Sequence, residues 1–160
     1  MVEQSLFEGY YSIMESPSTK DIQGTREAYS AGAMSDHSTQ VGAACGVGFG
    51  YNKAYDEDTK DVRIHAEVHA LLRNAQRGVE TEGRTMYAPW ASCPNCAMCI
   101  VSAGIAKVVV HHERMQLTPP HWQGEVEHGL HILQQHGVPV VAVSMVFGVR
   151  VKICGNEVNL

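Results

Sequence analysis

Residues 106–112, AKVVVHH, form a short β-branched run that lies between two helical patterns. Residues 65–77 repeat apolar residues at helical spacing before it, and residues 121–137 are amphipathic after it. A second β-branched run follows at residues 138–145. Strands that alternate with helices form one sheet with helices on both faces. The sequence therefore predicts an α/β fold, a three-layer α/β/α sandwich with a central mixed sheet of about five strands.

Turn residues and helix-end residues set the bounds of the other predicted elements. Proline is tolerated in the first turn of a helix and glycine favours its end, so a helix is predicted over residues 94–104. The remaining predicted elements are a helix over residues 20–34, a strand or tight hairpin over residues 40–51 and a short strand over residues 84–89. We expect residues 1–19 to be irregular and residues 145–160 to add a C-terminal hairpin that turns near Gly155-Asn156.

Length and composition limit the class of protein. A chain of 160 residues with 44% hydrophobic residues is long enough for one core and short for two, so residues 1–160 are interpreted as a single domain. The sequence contains neither a signal-peptide pattern nor an apolar run of membrane-spanning length, so we expect a cytoplasmic protein without membrane contact. The net charge of −5, with 12 Lys and Arg, argues against a polynucleotide partner.

The cysteines are concentrated in one segment. The chain has five cysteines, and three of them lie in residues 92–99, SCPNCAMC. Without a secretory signal, metal or redox chemistry explains this spacing better than a disulfide framework. Cys93 directly precedes the predicted helix start, and Cys96 lies in the first turn. Free N–H groups at a helix start favour the thiolate, so Cys93 and Cys96 can hold one metal ion together.

A second predicted helix start supplies the residues that complete a metal site. His65 and Glu67 stand at the start of the helix predicted over residues 65–77. A catalytic zinc takes three protein ligands and keeps one position for water, and a neighbouring carboxylate can exchange protons with that water. We therefore predict one catalytic Zn²⁺ held by His65, Cys93 and Cys96, with Glu67 as the catalytic residue.

A structural zinc clip is the alternative interpretation of the same cysteines. Its fourth ligand is Cys99 or Cys45, and the domain is then a zinc-stabilised binding module without catalysis. Cys99 lies one turn deeper in the predicted helix, where a small buried hydrophobic residue is the better interpretation.

Four segments carry a resemblance to a known family. They are SDHSTQVGAA at residues 35–44, GYN at 50–52, HAEVHALL at 65–72 and SCPNCAMCIVSAGIAKVVV at 92–110. His-x-Glu followed by Cys-x-x-Cys is a zinc-deaminase signature. The chain resembles the cytidine/deoxycytidylate deaminase superfamily, most closely the deoxycytidylate (dCMP) deaminases, from about residue 20 to residue 140. The segment at residues 92–110 resembles the family only when Cys96 is taken as the second cysteine of the Cys-x-x-Cys motif.

The resemblance implies a reaction and a substrate class. The reaction is the zinc-dependent hydrolytic deamination of a cytosine nucleotide, most closely dCMP to dUMP plus ammonia, in which Glu67 transfers the protons. The implied partner is a small-molecule nucleotide, and the implied assembly is a homo-oligomer.

Four further residues are predicted to contact the substrate. Asn52 matches the family's sugar-binding asparagine, and the backbone N–H of Ala66 is placed to meet the base carbonyl. Trp90 either lines the pocket or packs in the core. Arg114 either meets the substrate phosphate or is a solvated loop arginine.

Departures from the family pattern include two single residues in its motifs. Ser92 replaces the proline that the family has before its first cysteine, and His69 replaces an asparagine. Other deaminations, of cytidine, guanine or tRNA adenosine, stay open as alternatives. The tRNA alternative makes Cys96 and Cys99 the ligands, which breaks the downstream match, and the acidic charge balance is unfavourable for tRNA.

Overall fold

The alternation of strands and helices predicted from the sequence is present in a computed structural model, which describes residues 5–160. The strands are β1 (Ser12–Ile13), β2 (Gly42–Cys45), β3 (Gly48–Tyr51), β4 (Thr85–Tyr87), β5 (Lys107–His111), β6 (Val140–Val143), β7 (Arg150–Ile153) and β8 (Asn156–Asn159). The helices are α1 (Thr19–Gly32), α2 (Ala66–Gln76), α3 (Pro94–Ser102), α4 (His112–Gln116) and α5 (Pro120–Gln135).

Six strands form one mixed sheet in the order β1-β6-β5-β4-β2-β3. The first four strands in this order, β1, β6, β5 and β4, are parallel to one another. The β2–β3 hairpin pairs with β4 through β2, in the antiparallel direction. The register pairs Val108 with Met86 on one side and with Val140 on the other. The predicted mixed sheet is confirmed, with six strands in place of about five.

The additional strand is β1, which lies in the segment expected to be irregular. Ser12 pairs with Val141 at the sheet edge, and the backbone N–H of Met14 donates to the carbonyl of Ala142 at 2.8 Å. A strand of two residues is too short to show an alternating pattern, so backbone pairing with β6 alone reveals it. The part of that expectation that concerns residues 1–4 lies outside the described residues.

Both faces of the sheet are covered, which gives the predicted three layers. Successive side chains of a strand point to opposite faces. Val108 and Val110 pack into the core formed with α2, α3 and α5, whereas Val109 packs on the other face with α1 and Phe147. The hairpin β7–β8 is a separate two-stranded sheet that extends this second core through Val151 and Ile153.

The helix ends explain where the chain turns toward the candidate site. His65 caps α2 and Cys93 caps α3, both with extended backbone angles, and Pro94 occupies the first turn of α3. Gly78 and Gly104, beyond the ends of these helices, have φ of +63° and +72°, a region that favours glycine. The predicted starts of α2 and α3 are therefore confirmed.

One short helix, α4, was not predicted, and it changes where the preceding strand ends. His111 is the last residue of β5, but His112 begins α4, so the expected strand ends one residue earlier. Within residues 5–160, none of the helices has the length and apolar content that crossing a membrane requires.

Candidate active site

Three potential metal ligands converge where α2 and α3 begin. The Nδ1 atom of His65 lies 3.3 Å from the Sγ atom of Cys93 and 3.3 Å from the Sγ atom of Cys96. The ligand atoms of all three side chains lie within 4.8 Å of one another. His65 and Cys93 are the residues that cap the two helices, so their side chains project from the helix ends. Cys96 lies in the first turn of α3.

The electrostatics of this cluster favour a thiolate. A hydrogen bond with Cys96 and another with His65 lower the pKa of Cys93 to about 4. The same interaction with Cys93, together with burial, raises the pKa of Cys96, and the contact with Cys93 also raises the pKa of His65. Thiolate is the form of cysteine that binds metals, so the site is already disposed to receive a cation.

The donor set fits zinc. One imidazole nitrogen and two cysteine sulfurs form the mixed N/S set that zinc prefers, and three protein ligands leave one of four positions for water. Among residues 5–160, no fourth His, Cys, Asp or Glu joins this group. Cys99 packs partly buried against the core, and burial raises the pKa of Cys45 in β2 to about 11, which disfavours its thiolate.

A buried carboxyl group lies beside the cluster. Glu67, in the first turn of α2, is 4% exposed, and burial raises the pKa of its carboxyl group. The hydroxyl group of Ser92 donates a hydrogen bond to its Oε1 atom at 3.1 Å. A carboxyl group with a raised pKa is suited to exchanging protons near neutral pH.

A cavity opens onto the cluster and onto Glu67. Three of the four predicted substrate contacts, Asn52, Ala66 and Trp90, are in its lining. Trp90 donates from Nε1 to the hydroxyl oxygen of Thr118 at 2.9 Å, and its ring meets that of Trp122 edge to face at 6.4 Å between centroids. The side chain of Asn52 accepts from the N–H of Val41 and donates to the carbonyl of Thr39.

Arg114 is the predicted contact that is absent from the lining of this cavity. It is also not a solvated loop residue, because it is 2% exposed and burial lowers its pKa to about 10. Its guanidinium group lies over the ring of Trp90, 4.4 Å from the centroid. The interpretation of Arg114 as a loop residue overlooked α4, which turns this side chain into the interior.

His69 also lies away from the cavity lining. It is buried, and its Nδ1 atom accepts from the backbone N–H of Tyr51 at 3.2 Å. His69 therefore links α2 to β3 through this hydrogen bond.

Eight residues in the cavity lining were not predicted, and they include His37, Arg63, Trp122 and Glu125. Arg63 donates to Asp36 at 2.8 Å and to the carbonyl of Asn52 at 3.0 Å. Arg63 precedes His65 by two residues, so its proximity to the site could be read from the sequence. Trp122 and Glu125 come from α5, and only the packing of α5 against α3 brings them to the cavity.

Comparisons with known proteins find similar sequences and similar folds. The model of the family described as cytidine and deoxycytidylate deaminase zinc-binding region matches residues 19–112. An uncharacterised deaminase of Aliivibrio fischeri is 31% identical over 121 residues, covering 66% of this chain and 80% of that protein.

The deoxycytidylate deaminases of Enterobacteria phages T2 and T4 are each 34% identical to this chain over 93 residues, or 58% of it. The match covers 45% of the T2 protein and 44% of the T4 protein, so the chain spans less than half the length of either.

Solved structures share the fold. The dCMP deaminase from the cyanophage S-TIM5 in apo form has a TM-score of 0.64 at 22% identity, over 79% of this chain and 99% of that one. The same phage enzyme in complex with dCMP and dUMP has a TM-score of 0.61, over 81% of this chain and 99% of that one.

Proposed function

Because the chain belongs to the cytidine and deoxycytidylate deaminase family, we propose that it is a zinc-dependent hydrolytic deaminase whose substrate is a cytosine nucleotide. The reaction is dCMP to dUMP plus ammonia. One observation carries the proposal: Glu67 lines the same cavity as His65 and Cys93, and the ligand atom of Cys96 lies within 4.8 Å of the ligand atoms of both.

His65, Cys93 and Cys96 are the zinc ligands in this proposal. When bound there, zinc supplies the acidity that makes water a nucleophile near neutral pH. The protein's own part is to hold two sulfurs and one nitrogen at two helix starts, whose free N–H groups stabilise the negative charge of the thiolates.

Glu67 is the residue that moves protons. It accepts a proton from the attacking water and delivers it to N3 of the pyrimidine. It then takes the proton of the new hydroxyl group on C4 and transfers it to the amine, which leaves as ammonia while the C4 carbonyl group forms. Burial supports this role, because it raises the pKa of the Glu67 carboxyl group and so makes the carboxylate a stronger proton acceptor.

The cavity walls accommodate the base and the sugar. The N–H of Ala66, at the start of α2, has no partner within the helix and donates to the base carbonyl. The rings of Trp90 and Trp122 form an apolar wall for the base. Asn52 uses one amide hydrogen on Thr39, which leaves the other for a sugar hydroxyl group.

The phosphate group lies toward His37 and Arg63 in this proposal, and Arg114 takes no direct part. His37 and Arg63 line the cavity, whereas Arg114 lies behind Trp90. The phage relatives named deoxycytidylate deaminases, and the solved phage enzyme bound to dCMP and dUMP, support a monophosphate substrate.

Ammonia release from a panel of substrates tests the proposal. Zinc-loaded protein is incubated with dCMP, CMP, deoxycytidine, cytosine and guanine, and metal-free protein is the control. We expect release from dCMP that depends on zinc. Release from cytosine, deoxycytidine or guanine alone refutes the monophosphate assignment, and no release from any of the compounds refutes catalysis in favour of a zinc-stabilised binding module.

A homo-oligomer and a cytoplasmic location stay predictions from the sequence. Size-exclusion chromatography with light scattering tests the first, and localisation of the tagged protein in its source cells tests the second.

A further inference from the structure

Ser92, which takes the place of the family's proline before the first cysteine, contacts the proposed proton carrier. Its side chain is 1% exposed and its hydroxyl group donates to Oε1 of Glu67 at 3.1 Å. We propose that Ser92 is a positioning residue for Glu67, an inference that rests on the deaminase function proposed above. Its hydroxyl group holds one carboxyl oxygen and leaves Oε2 to exchange protons with water and substrate.

The hydrogen bond matters because the carboxyl group of Glu67 is buried. A buried carboxylate is costly unless donors surround it. The other donors are the backbone N–H of Glu67 itself and the thiol of Cys96. A cysteine that ligates a metal is a thiolate and has no proton to donate. In the metal-loaded protein, Ser92 is therefore the side-chain donor that continues to orient Glu67.

The backbone of Ser92 is itself held in place by close packing. A Cβ atom added to Gly129 would lie 2.0 Å from the carbonyl oxygen of Ser92, so α5 approaches this segment as closely as a glycine allows. The N–H of the preceding residue, Ala91, donates to the Sδ atom of Met115 at 3.2 Å. Two neighbouring elements thus hold the backbone from which the side chain of Ser92 projects.

The first test separates positioning from substrate binding. Ser92→Ala removes the hydroxyl group, Ser92→Thr retains it, and Ser144→Ala is the matched control. Ser144 donates to Oε1 of Glu113 at 2.6 Å, a serine–glutamate hydrogen bond that is exposed and lies outside the cavity lining. With equal zinc content, we expect Ser92→Ala to lower kcat for dCMP about tenfold, the effect of losing one hydrogen bond to a charged group. We expect KM to stay within about twofold and Ser92→Thr to recover most of kcat.

The second test does not depend on activity. A double-mutant cycle of Ser92→Ala with Glu67→Ala measures urea unfolding of the metal-free protein. If the two side chains are coupled, Ser92→Ala shifts the unfolding midpoint less when Glu67 is already alanine. Ser144→Ala combined with Glu67→Ala should be additive.

The two tests also separate this inference from the proposed function. A kcat of Ser92→Ala within about twofold of the wild-type value, or an additive cycle with Glu67→Ala, overturns the positioning role while deamination by the wild type stands. A zinc-loaded wild type that is inactive toward every compound of the panel refutes the proposed function and the positioning role together. A selective loss of kcat, rescue by threonine and a coupled cycle support the inference.

Discussion

Gly129 and Gly124 lie in the same helix, α5, and alanine at these two positions should change stability in opposite directions. A Cβ atom at residue 129 would lie 2.0 Å from the carbonyl oxygen of Ser92 and 3.0 Å from the carbonyl carbon of Cys93. At residue 124, nothing lies within 4 Å of an added Cβ atom. The pair therefore separates helix propensity, which is common to both substitutions, from the close approach of α5 to the candidate site.

The expected magnitudes follow from these distances. Replacing glycine by alanine in the interior of a helix gains about 1 kcal/mol. The contact at residue 129 is with backbone atoms, which cannot rotate away, so α5 or the segment at Ser92 has to shift. Overpacking of this kind costs about 1–3 kcal/mol. We expect Gly124→Ala to stabilise the protein by up to about 1 kcal/mol and Gly129→Ala to destabilise it by up to about 2 kcal/mol.

Urea unfolding followed by circular dichroism measures both variants. Equal slopes of the unfolding free energy against urea show that the two-state comparison is valid. If Gly129→Ala gains the same stability as Gly124→Ala, the close contact between α5 and Ser92 is absent in solution. The geometry assigned to Ser92 and Cys93 is then wrong as well.

Three further predictions concern the substrate, the metal and the pH. Arg63→Ala should raise KM for dCMP about tenfold and leave KM for deoxycytidine unchanged, since one phosphate contact is lost. An equal rise in KM for both compounds contradicts the assigned phosphate position. Cys93→Ser should abolish zinc binding measured by elemental analysis, whereas Cys99→Ser should keep one equivalent; loss of zinc from both variants favours the structural clip. Burial and the Asp21 carboxylate raise the pKa of Tyr87 from 10.0 to about 12. The stability that the protonated phenol contributes is therefore present below pH 10 and lost as the pH rises toward about 12. The stability advantage of wild type over Tyr87→Phe should shrink across that interval. A difference in unfolding free energy that stays constant with pH contradicts this prediction.

The residues of the candidate cluster could be predicted because each stands at a helix start, where local sequence signals are strong. Pro94 marks the first turn of α3, and the apolar spacing after His65 marks α2. Cys93 and Cys96 then follow from their offsets to that start. The covering of both faces of the sheet could also be predicted from the sequence, because β-branched runs between helical patterns indicate a sheet with helices on both sides.

What depends on tertiary packing could not be predicted. Strand β1 has two residues and is held by pairing with β6, which leaves no pattern along the chain. Arg114 turns inward because α4 follows β5 directly, and its guanidinium group then stacks on Trp90. Trp122 enters the cavity lining because Gly129 lets α5 approach the loop before α3, a contact between residues far apart in sequence.

We propose above that Glu67 moves protons for a deamination at a zinc ion ligated by His65, Cys93 and Cys96. Zinc content and ammonia release from dCMP, measured on the same preparations of wild type and Glu67→Gln, test it most directly. We predict one equivalent of zinc in both proteins and a loss of turnover in the variant of about 10²- to 10⁴-fold, the range attributed to general acid–base catalysis. A variant that keeps both its zinc and its turnover would contradict the claim.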